Sequence, residues 1–343
     1  MTTYRAVLAT NDGAFTLVDR ELIEPGPGHV RIAVEACGVC HSDLYGVHNV
    51  IGNRPVGTPI VPGHEVVGRI DALGPDVTGW TVGQQVGLGY LGGHCGACEN
   101  CRRGDFVYCT DQPVLGDSID GGYAESVIAR ASGLVAVPEE LGAAEAAPLL
   151  CAGITVFNGL RKGAPRPGDL VAVQGIGGLG HLAIQYAVKL GLRVVAIARG
   201  EEKRELALKL GATEYIDSAA GDPGKALQEL GGATVIVATA TTTTGASMTP
   251  LVEGLALRGR LIVVGAAGDP IEVSTSALIF GGRSIAGSLT GTPSENEENL
   301  AFSLANDVRP MVETVPLEKA ADAYARMLSG AARFRMVLTT NNN

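Results

Sequence analysis

Residues 170–191, LVAVQGIGGLGHLAIQYAVKLG, narrow the possible folds more than any other stretch of the chain. An unbroken apolar run turns on glycines. After them Leu179, Leu182, Ala183, Tyr186, Ala187 and Leu190 recur at i, i+3, i+4, i+7, i+8 and i+11. The pattern predicts a buried strand, a tight turn and a helix with one apolar face. The turn Gly175-Ile176-Gly177-Gly178-Leu179-Gly180 reads G-x-G-x-x-G. Its first glycine permits the turn, its second lets backbone approach a pyrophosphate, and its third lets the helix pack on the sheet. The phosphates of a dinucleotide then sit at the positive helix N-terminus. RVVAIA (193–198), ATVIVATA (233–240) and RLIVVGAA (260–267) read as further buried strands, with a charged helix from Glu201 capped at Gly211. Alternating strands and helices predict a parallel, doubly wound α/β sheet. The threonine run 241–244 reads as a loop and the final NNN as a disordered tail.

The second strand of such a sheet ordinarily ends in an acid that grips the adenosine ribose. Here it ends AIARGEEKR, with Ala198 at that position and Arg199 just after it. Arg199 offers a planar fork to a 2′-phosphate, and Lys203 or Arg204 would add charge, so NADP(H) is favoured. NAD(H) stays open, with Arg199 a solvated strand end and Glu201 or Glu202 on the ribose.

Residues 1–150 have a different texture. HVRIAVEACGV (29–39) alternates apolar and polar positions, and Gly/Pro punctuation recurs, which predicts a mostly antiparallel, barrel-like region. Within it, GHCGACENCRRGDFVYC (93–109) holds Cys95, Cys98, Cys101 and Cys109, four of the seven cysteines. The chain shows no basic leader and no run of roughly 18 uninterrupted apolar residues, so a cytoplasmic, non-membrane setting is expected. Clustered thiols in a reducing compartment point to a metal rather than to disulfides. C-x2-C-x2-C-x7-C fits a tetrahedral structural zinc with a closed shell, Gly96 and Gly104 giving the loop its freedom. An iron–sulfur cluster or unligated thiols are the alternatives. The net charge of −10, from 26 Lys plus Arg against 36 Asp plus Glu, argues against nucleic-acid binding.

The remaining cysteines lie in EACGVCHSDLYG (Cys37, Cys40) and PLLCAGITVF (Cys151), with His64 in VPGHEVVG. Cys37 reads as a core cysteine. Cys40, His64 and Cys151 together would give zinc three protein ligands and leave a fourth position for water or substrate. Singly, each also reads as an ordinary structural residue.

These segments, with CGVCHSDL, GHE, CAGITVF, GIGGLG and the closing FRMVL, resemble the zinc-dependent medium-chain alcohol dehydrogenase family along almost the whole chain. The resemblance implies a GroES-like catalytic domain at 1–153 and 290–343, with its zinc lobe at 93–110, and a Rossmann domain at 154–289. It implies two zincs per chain: one on Cys40, His64 and Cys151, the other on the four clustered cysteines. Glu65 and Asp43 fall at outer carboxylate positions, Asp43 orienting His64 through its other ring nitrogen. His41 and Arg335 resemble phosphate contacts of the cofactor, and Thr155 and Val264–Gly265 line the nicotinamide pocket. Ser42 would accept the substrate hydroxyl proton. Many members carry a histidine at the outer end of that path where this chain has Tyr45; His48 is the candidate substitute, or else a surface loop histidine. Tyr90 and Ile51 fall at substrate walls. The implied activity is interconversion of a primary, secondary or aromatic alcohol with its aldehyde or ketone, in a homo-oligomer, a tetramer before a dimer. An NADPH-preferring aldehyde reductase, a zinc polyol dehydrogenase and a non-enzymatic scaffold are the alternatives.

Overall fold

A computed structural model describes residues 2–240 and 245–340; the threonine run 241–244 and the terminal asparagines lie outside them. The chain forms two compact units. The first comprises Met1–Cys151, Gly291–Ala305 and Arg309–Asn343, the second Ala152–Thr290 and Asn306–Val308.

The second unit is a six-stranded parallel sheet. Its strands run, edge to edge, Glu214–Asp217, Arg193–Ala198, Leu170–Gln174, Ala233–Ala238, Leu255–Val263 and Ser284–Gly287. Numbered by their own appearance they lie in the order 3-2-1-4-5-6, the doubly wound arrangement expected for a dinucleotide fold. Leu170–Gln174 is buried throughout, as a strand covered on both faces must be. The following helix, Gly180–Lys189, buries Leu182, Ala183, Tyr186 and Ala187 completely, which is the face read from the sequence. Three elements differ from expectation, the strand read at 233–240 ending already at Ala238. The charged helix spans only Arg204–Lys209, because Gly200 at φ +77° turns the chain and Arg204 folds back onto Glu201. The strand read at 260–267 runs instead over Leu255–Val263, entering the sheet five residues earlier.

The first unit is built on a mixed, mostly antiparallel seven-stranded sheet. Val312–Pro316, Arg335–Thr339, His29–Val39, Glu65–Leu73, Gln85–Leu88 and Val135–Ala136 follow one another, and Ser126–Arg130 pairs with His29–Val39. A hairpin of Thr3–Ala9 and Phe15–Glu21 completes it. Val30, Ile32, Val34, Val66, Ile70, Val86, Leu88 and Tyr123 share one apolar core. The 21-residue helical segment Ala143–Gly163 is long and apolar enough for a membrane span, yet 78 % of its apolar window is buried within the protein.

Candidate metal and nucleotide sites

Strands His29–Val39 and Glu65–Leu73 pair antiparallel with Gly38 opposite Glu65. Cys40 and His64 therefore leave the same end of the pair. Cys151 arrives on Leu149–Gly153, one turn of π-helix inside an otherwise α-helical segment, an irregularity that recurs at functional sites. The ligand atoms of Cys40, His64, Glu65 and Cys151 all lie within 4.8 Å of one another. Cys40 Sγ and Cys151 Sγ are 3.9 Å apart. Two sulfurs on a tetrahedral zinc at about 2.3 Å would stand about 3.8 Å apart. His64 is buried and its Nε2 has no hydrogen-bond partner. A buried imidazole nitrogen without a partner is costly unless an ion takes it, so this donor set fits zinc.

The other ring nitrogen of His64 is held. Its Nδ1 lies 2.8 Å from Asp43 Oδ1, while Asp43 Oδ2 accepts the backbone N–H of Cys40 at 2.9 Å and the hydroxyl of Tyr123 at 2.8 Å. One buried carboxylate thus fixes two candidate ligands together. Burial alone would lower the His64 imidazole, but Asp43 and then Cys40 hold it well above its ordinary value. Of the two thiols, Cys40 is the one held low, by the hydrogen bond from Cys151 and, against burial, by the charge of His64. Metal capture must displace the imidazole proton.

Glu65 is fully buried and bonded to Arg335, which is itself 4 % exposed. Burial pushes its carboxyl up to about 8 although Arg335 pulls the other way. A Cβ at Gly38 would lie 1.9 Å from Glu65 Oε2, so only glycine leaves that carboxylate its place. Arg335, read as a phosphate contact, has a carboxylate partner that its sequence position does not disclose. The ring of Tyr90 meets His64 edge-on, centroids 5.2 Å apart, and burial pushes its hydroxyl up to about 12. Ser42 and His41 are half-buried in the turn before helix Asp43–Val47, and the Ser42 side chain does not cap that helix. Nδ1 of His48 contacts the Asn11 carbonyl at 3.1 Å. Ile51 is 56 % exposed.

In the lobe, Cys95 Sγ lies 4.0 Å from Cys101 Sγ, and Cys98 Sγ 4.0 Å from Cys109 Sγ, again near a tetrahedral edge and far beyond a disulfide. Backbone N–H groups of Ala97 and Cys98 point at Cys95 Sγ, and that of Cys101 at Cys98 Sγ. Gly96 and Gly104 both take the left-handed conformation. Hydrogen bonds from the N–H groups of Cys101 and Thr110 draw the Cys98 thiol down to about 6. These four residues fit a closed zinc shell.

In the second unit each glycine of the turn has its own reason. Gly175 sits at φ +89°, Gly177 has nothing within 4 Å of an added Cβ, and a Cβ on Gly180 would lie 1.8 Å from the Gly175 carbonyl oxygen. Turn, phosphate approach and close packing are the three separate requirements. Thr155 is buried against Leu289, and Val264–Gly265 directly follow strand Leu255–Val263. Arg199 is exposed, whereas Arg204 pairs with Glu201 and lies over the Tyr215 ring at 4.8 Å. A cavity of about 330 Å³ in the first unit is bordered by Tyr4, Arg20, Arg31 and Asp120, but by none of Cys40, His64 and Cys151. Its arginines are already paired, Arg20 with Asp120 and Arg31 with Asp71 and Glu24.

Sequence reasoning missed Tyr123. Its signal was the Gly121–Gly122 pair before it: a Cβ on Gly121 would lie 2.1 Å from the Gly63 carbonyl oxygen, and one on Gly122 2.3 Å from Val66. That closeness marks the segment as packed under the loop carrying His64.

An incompletely ligated metal site and a dinucleotide turn, carried by one chain, are the equipment of a metal-dependent dehydrogenase. The comparisons agree. Residues 26–139 match the alcohol dehydrogenase GroES-like domain and residues 178–306 the zinc-binding dehydrogenase domain. The chain is 46 % identical over 335 residues to the alcohol dehydrogenase notN of Aspergillus sp. (strain MF297-2), covering 98 % of this chain and 97 % of that one. Among solved structures, a cinnamyl alcohol dehydrogenase of Sorghum bicolor superposes with a TM-score of 0.88 at 31 % identity, covering 98 % of both chains. A Helicobacter pylori CAD complexed with NADP(H) and a Geotrichum candidum acetophenone reductase in complex with NAD give 0.86 and 0.83, each at 27 % identity; 98 % of this chain is covered in both cases, with 98 % and 97 % of theirs. The chain belongs to the zinc-dependent medium-chain alcohol dehydrogenase family. It is an oxidoreductase acting on small molecules.

Proposed function

We propose that this chain is a zinc alcohol dehydrogenase with two zincs, which interconverts medium-sized primary or aromatic alcohols and their carbonyl counterparts and prefers NADP(H). The observation that carries the reading is the partnerless, buried Nε2 of His64 beside Cys40 and Cys151. Cys40, His64 and Cys151 would hold a zinc supplying a Lewis acid for the substrate oxygen, and a bound nicotinamide would supply the hydride chemistry. The chain's own residues do the rest. Asp43 orients His64, and Glu65 and Arg335 form a buried pair beside the candidate ligands. Ser42, its hydroxyl unused in capping, takes the proton of the alcohol. The Asn11 contact of His48 favours a structural role for that ring, so the proton would pass from Ser42 to solvent without it. Tyr90, edge-on to His64, walls the reacting carbon with an aromatic face suited to aromatic substrates.

Three observations support NADP(H). Arg199 is exposed at the strand end; Glu201 is engaged by Arg204; and Asp217 accepts the Gly200 and Ala219 N–H groups. Those two carboxylates are thereby drawn away from a ribose, while a guanidinium remains for a 2′-phosphate. Exposed Leu257, Ile279 and Phe280, on elements next to the edge strand Ser284–Gly287, support a homo-oligomer.

The test is a steady-state panel of alcohols and aldehydes with NAD(H) and NADP(H) in parallel, with zinc measured on the same preparation. Two zincs per chain, and a higher kcat/KM with NADP(H) that falls on Arg199→Ala, are expected. One zinc, or no turnover of any alcohol, refutes the catalytic reading; a strong NAD(H) preference refutes the role of Arg199.

A further inference from the structure

The π turn that carries Cys151 is tied from outside. Helix Pro293–Asn306 begins with a capping box, in which Thr292 N–H donates to Glu295 Oε2 at 2.7 Å and Glu295 N–H to Thr292 Oγ1 at 3.3 Å. Glu297 docks the helix by accepting the Ala136 N–H at 2.9 Å. Its buried face is Asn296, Asn299, Leu300 and Ser303, at i, i+3, i+4 and i+7. Those positions ordinarily hold apolar side chains. Here two of them are amides, 3 % and 0 % exposed. Asn296 Nδ2 donates to the Leu150 carbonyl at 3.1 Å, and Asn299 Nδ2 to the Leu149 carbonyl at 3.0 Å. A Cβ at Gly89 would stand 2.8 Å from the same Leu150 oxygen, so the clamp fits without slack.

We infer that Asn296 and Asn299 are positioning residues for Cys151, holding the turn before it in the π register that aims its thiolate at the metal. A π turn carries one residue more than the α-helix around it, which disturbs the regular carbonyl ladder. Side-chain donors at those carbonyls favour the wider turn. Reverting to α geometry would shift the register by one residue and rotate the Cys151 side chain by about 100°. The asparagines bond to backbone carbonyls and act through Cys151.

This rests on Cys151 being a zinc ligand, and the experiment separates the two claims. Zinc-loaded parent, Asn296→Leu and Asn299→Leu are mixed with a chromophoric zinc chelator, and alkylation of each cysteine by iodoacetamide is followed by mass spectrometry. Asn158→Leu is the control, because it removes a comparable buried bond, from Asn158 Nδ2 to the Thr290 carbonyl at 3.2 Å, in the other unit. Parent protein should release zinc in two phases. A single phase, with Cys151 alkylated from the start, refutes Cys151 as ligand. In the asparagine variants the Cys151-linked phase and Cys151 alkylation should quicken by about 10-fold, the lower end of what outer-shell losses do to metal affinity. The lobe phase should not change. Two phases at parental rates, both phases quickened equally, or an equal effect from Asn158→Leu would overturn the clamp. If the leucine variants do not fold, Asn296→Ser and Asn299→Ser, smaller and still polar, carry the same readouts.

Discussion

Replacing Tyr123 by Phe isolates one hydrogen bond at the centre of the site. The Tyr123 ring is fully buried, and a Cβ on Gly63 would meet its Cδ1 at 2.4 Å, so it packs directly under the residue before His64. Phenylalanine keeps that packing and opens no cavity. What is lost is the hydroxyl donated to Asp43 Oδ2 at 2.8 Å. Hydrogen bonds to a charged acceptor contribute about 1.5–3 kcal/mol. Oδ2 keeps the Cys40 N–H as a donor, which places the loss in the lower part, about 1.5–2 kcal/mol. For a unit of roughly 200 residues each kcal/mol moves Tm by about 2–4 °C, so thermal unfolding of the zinc-loaded protein should fall by about 3–8 °C. Asp43→Asn removes the acceptor charge, and in that background Tyr123→Phe should have less than half its effect, since contacting residues do not add. A Tm change under about 1 °C, or the same loss in both backgrounds, would refute the argument that Asp43 is the node through which Tyr123 acts.

The three-glycine turn separates folding from binding. Gly177→Ala should leave Tm unchanged but weaken dinucleotide binding at least about 10-fold by calorimetry, its methyl standing where the pyrophosphate approaches; Gly180→Ala, forced against the Gly175 carbonyl, should lower both. In zinc-stripped protein the Cys98 thiol is a thiolate above about pH 6 and protonated below it, so its alkylation rate should be half-maximal near that pH. A midpoint at an ordinary thiol value would mean that the Cys101 and Thr110 N–H groups do not hold the loop without metal. Phe280 is 85 % exposed, and Phe280→Asp should shift light-scattering mass toward a smaller assembly; an unchanged mass would refute the apolar edge as an interface.

The features legible in sequence are those whose meaning is local. Gly175, Gly177 and Gly180 lie within six positions, and the spacing of Cys95, Cys98 and Cys101 is itself the geometry of the knot. The helical face from Leu182 to Ala187 follows from periodicity alone. Other features depend on partners far along the chain. Tyr123 takes its role from a carboxylate 80 positions away, and Asn296 and Asn299 from carbonyls 146 and 150 positions away. Asn296, Asn299 and Ser303 at apolar helical spacing were a visible anomaly, but nothing local says which carbonyls they meet. The charged helix beginning at Arg204 rather than Glu201 belongs to the same class, since a side-chain pair and a left-handed glycine override a helix-like composition.

The pairing of Arg335 with Glu65 joins residues 270 positions apart, and the strand bearing Arg335 is the last among the described residues. At about 5–20 residues per second of synthesis, Glu65 waits roughly 15–55 s on the ribosome before its counter-ion exists. Throughout that interval the half-made barrel holds Glu65 without its guanidinium partner and lacks one of its sheet's inner strands. Nascent chains are thus exposed to proteases until strand Arg335–Thr339 has been made, and deleting that strand should be as damaging as deleting a candidate ligand.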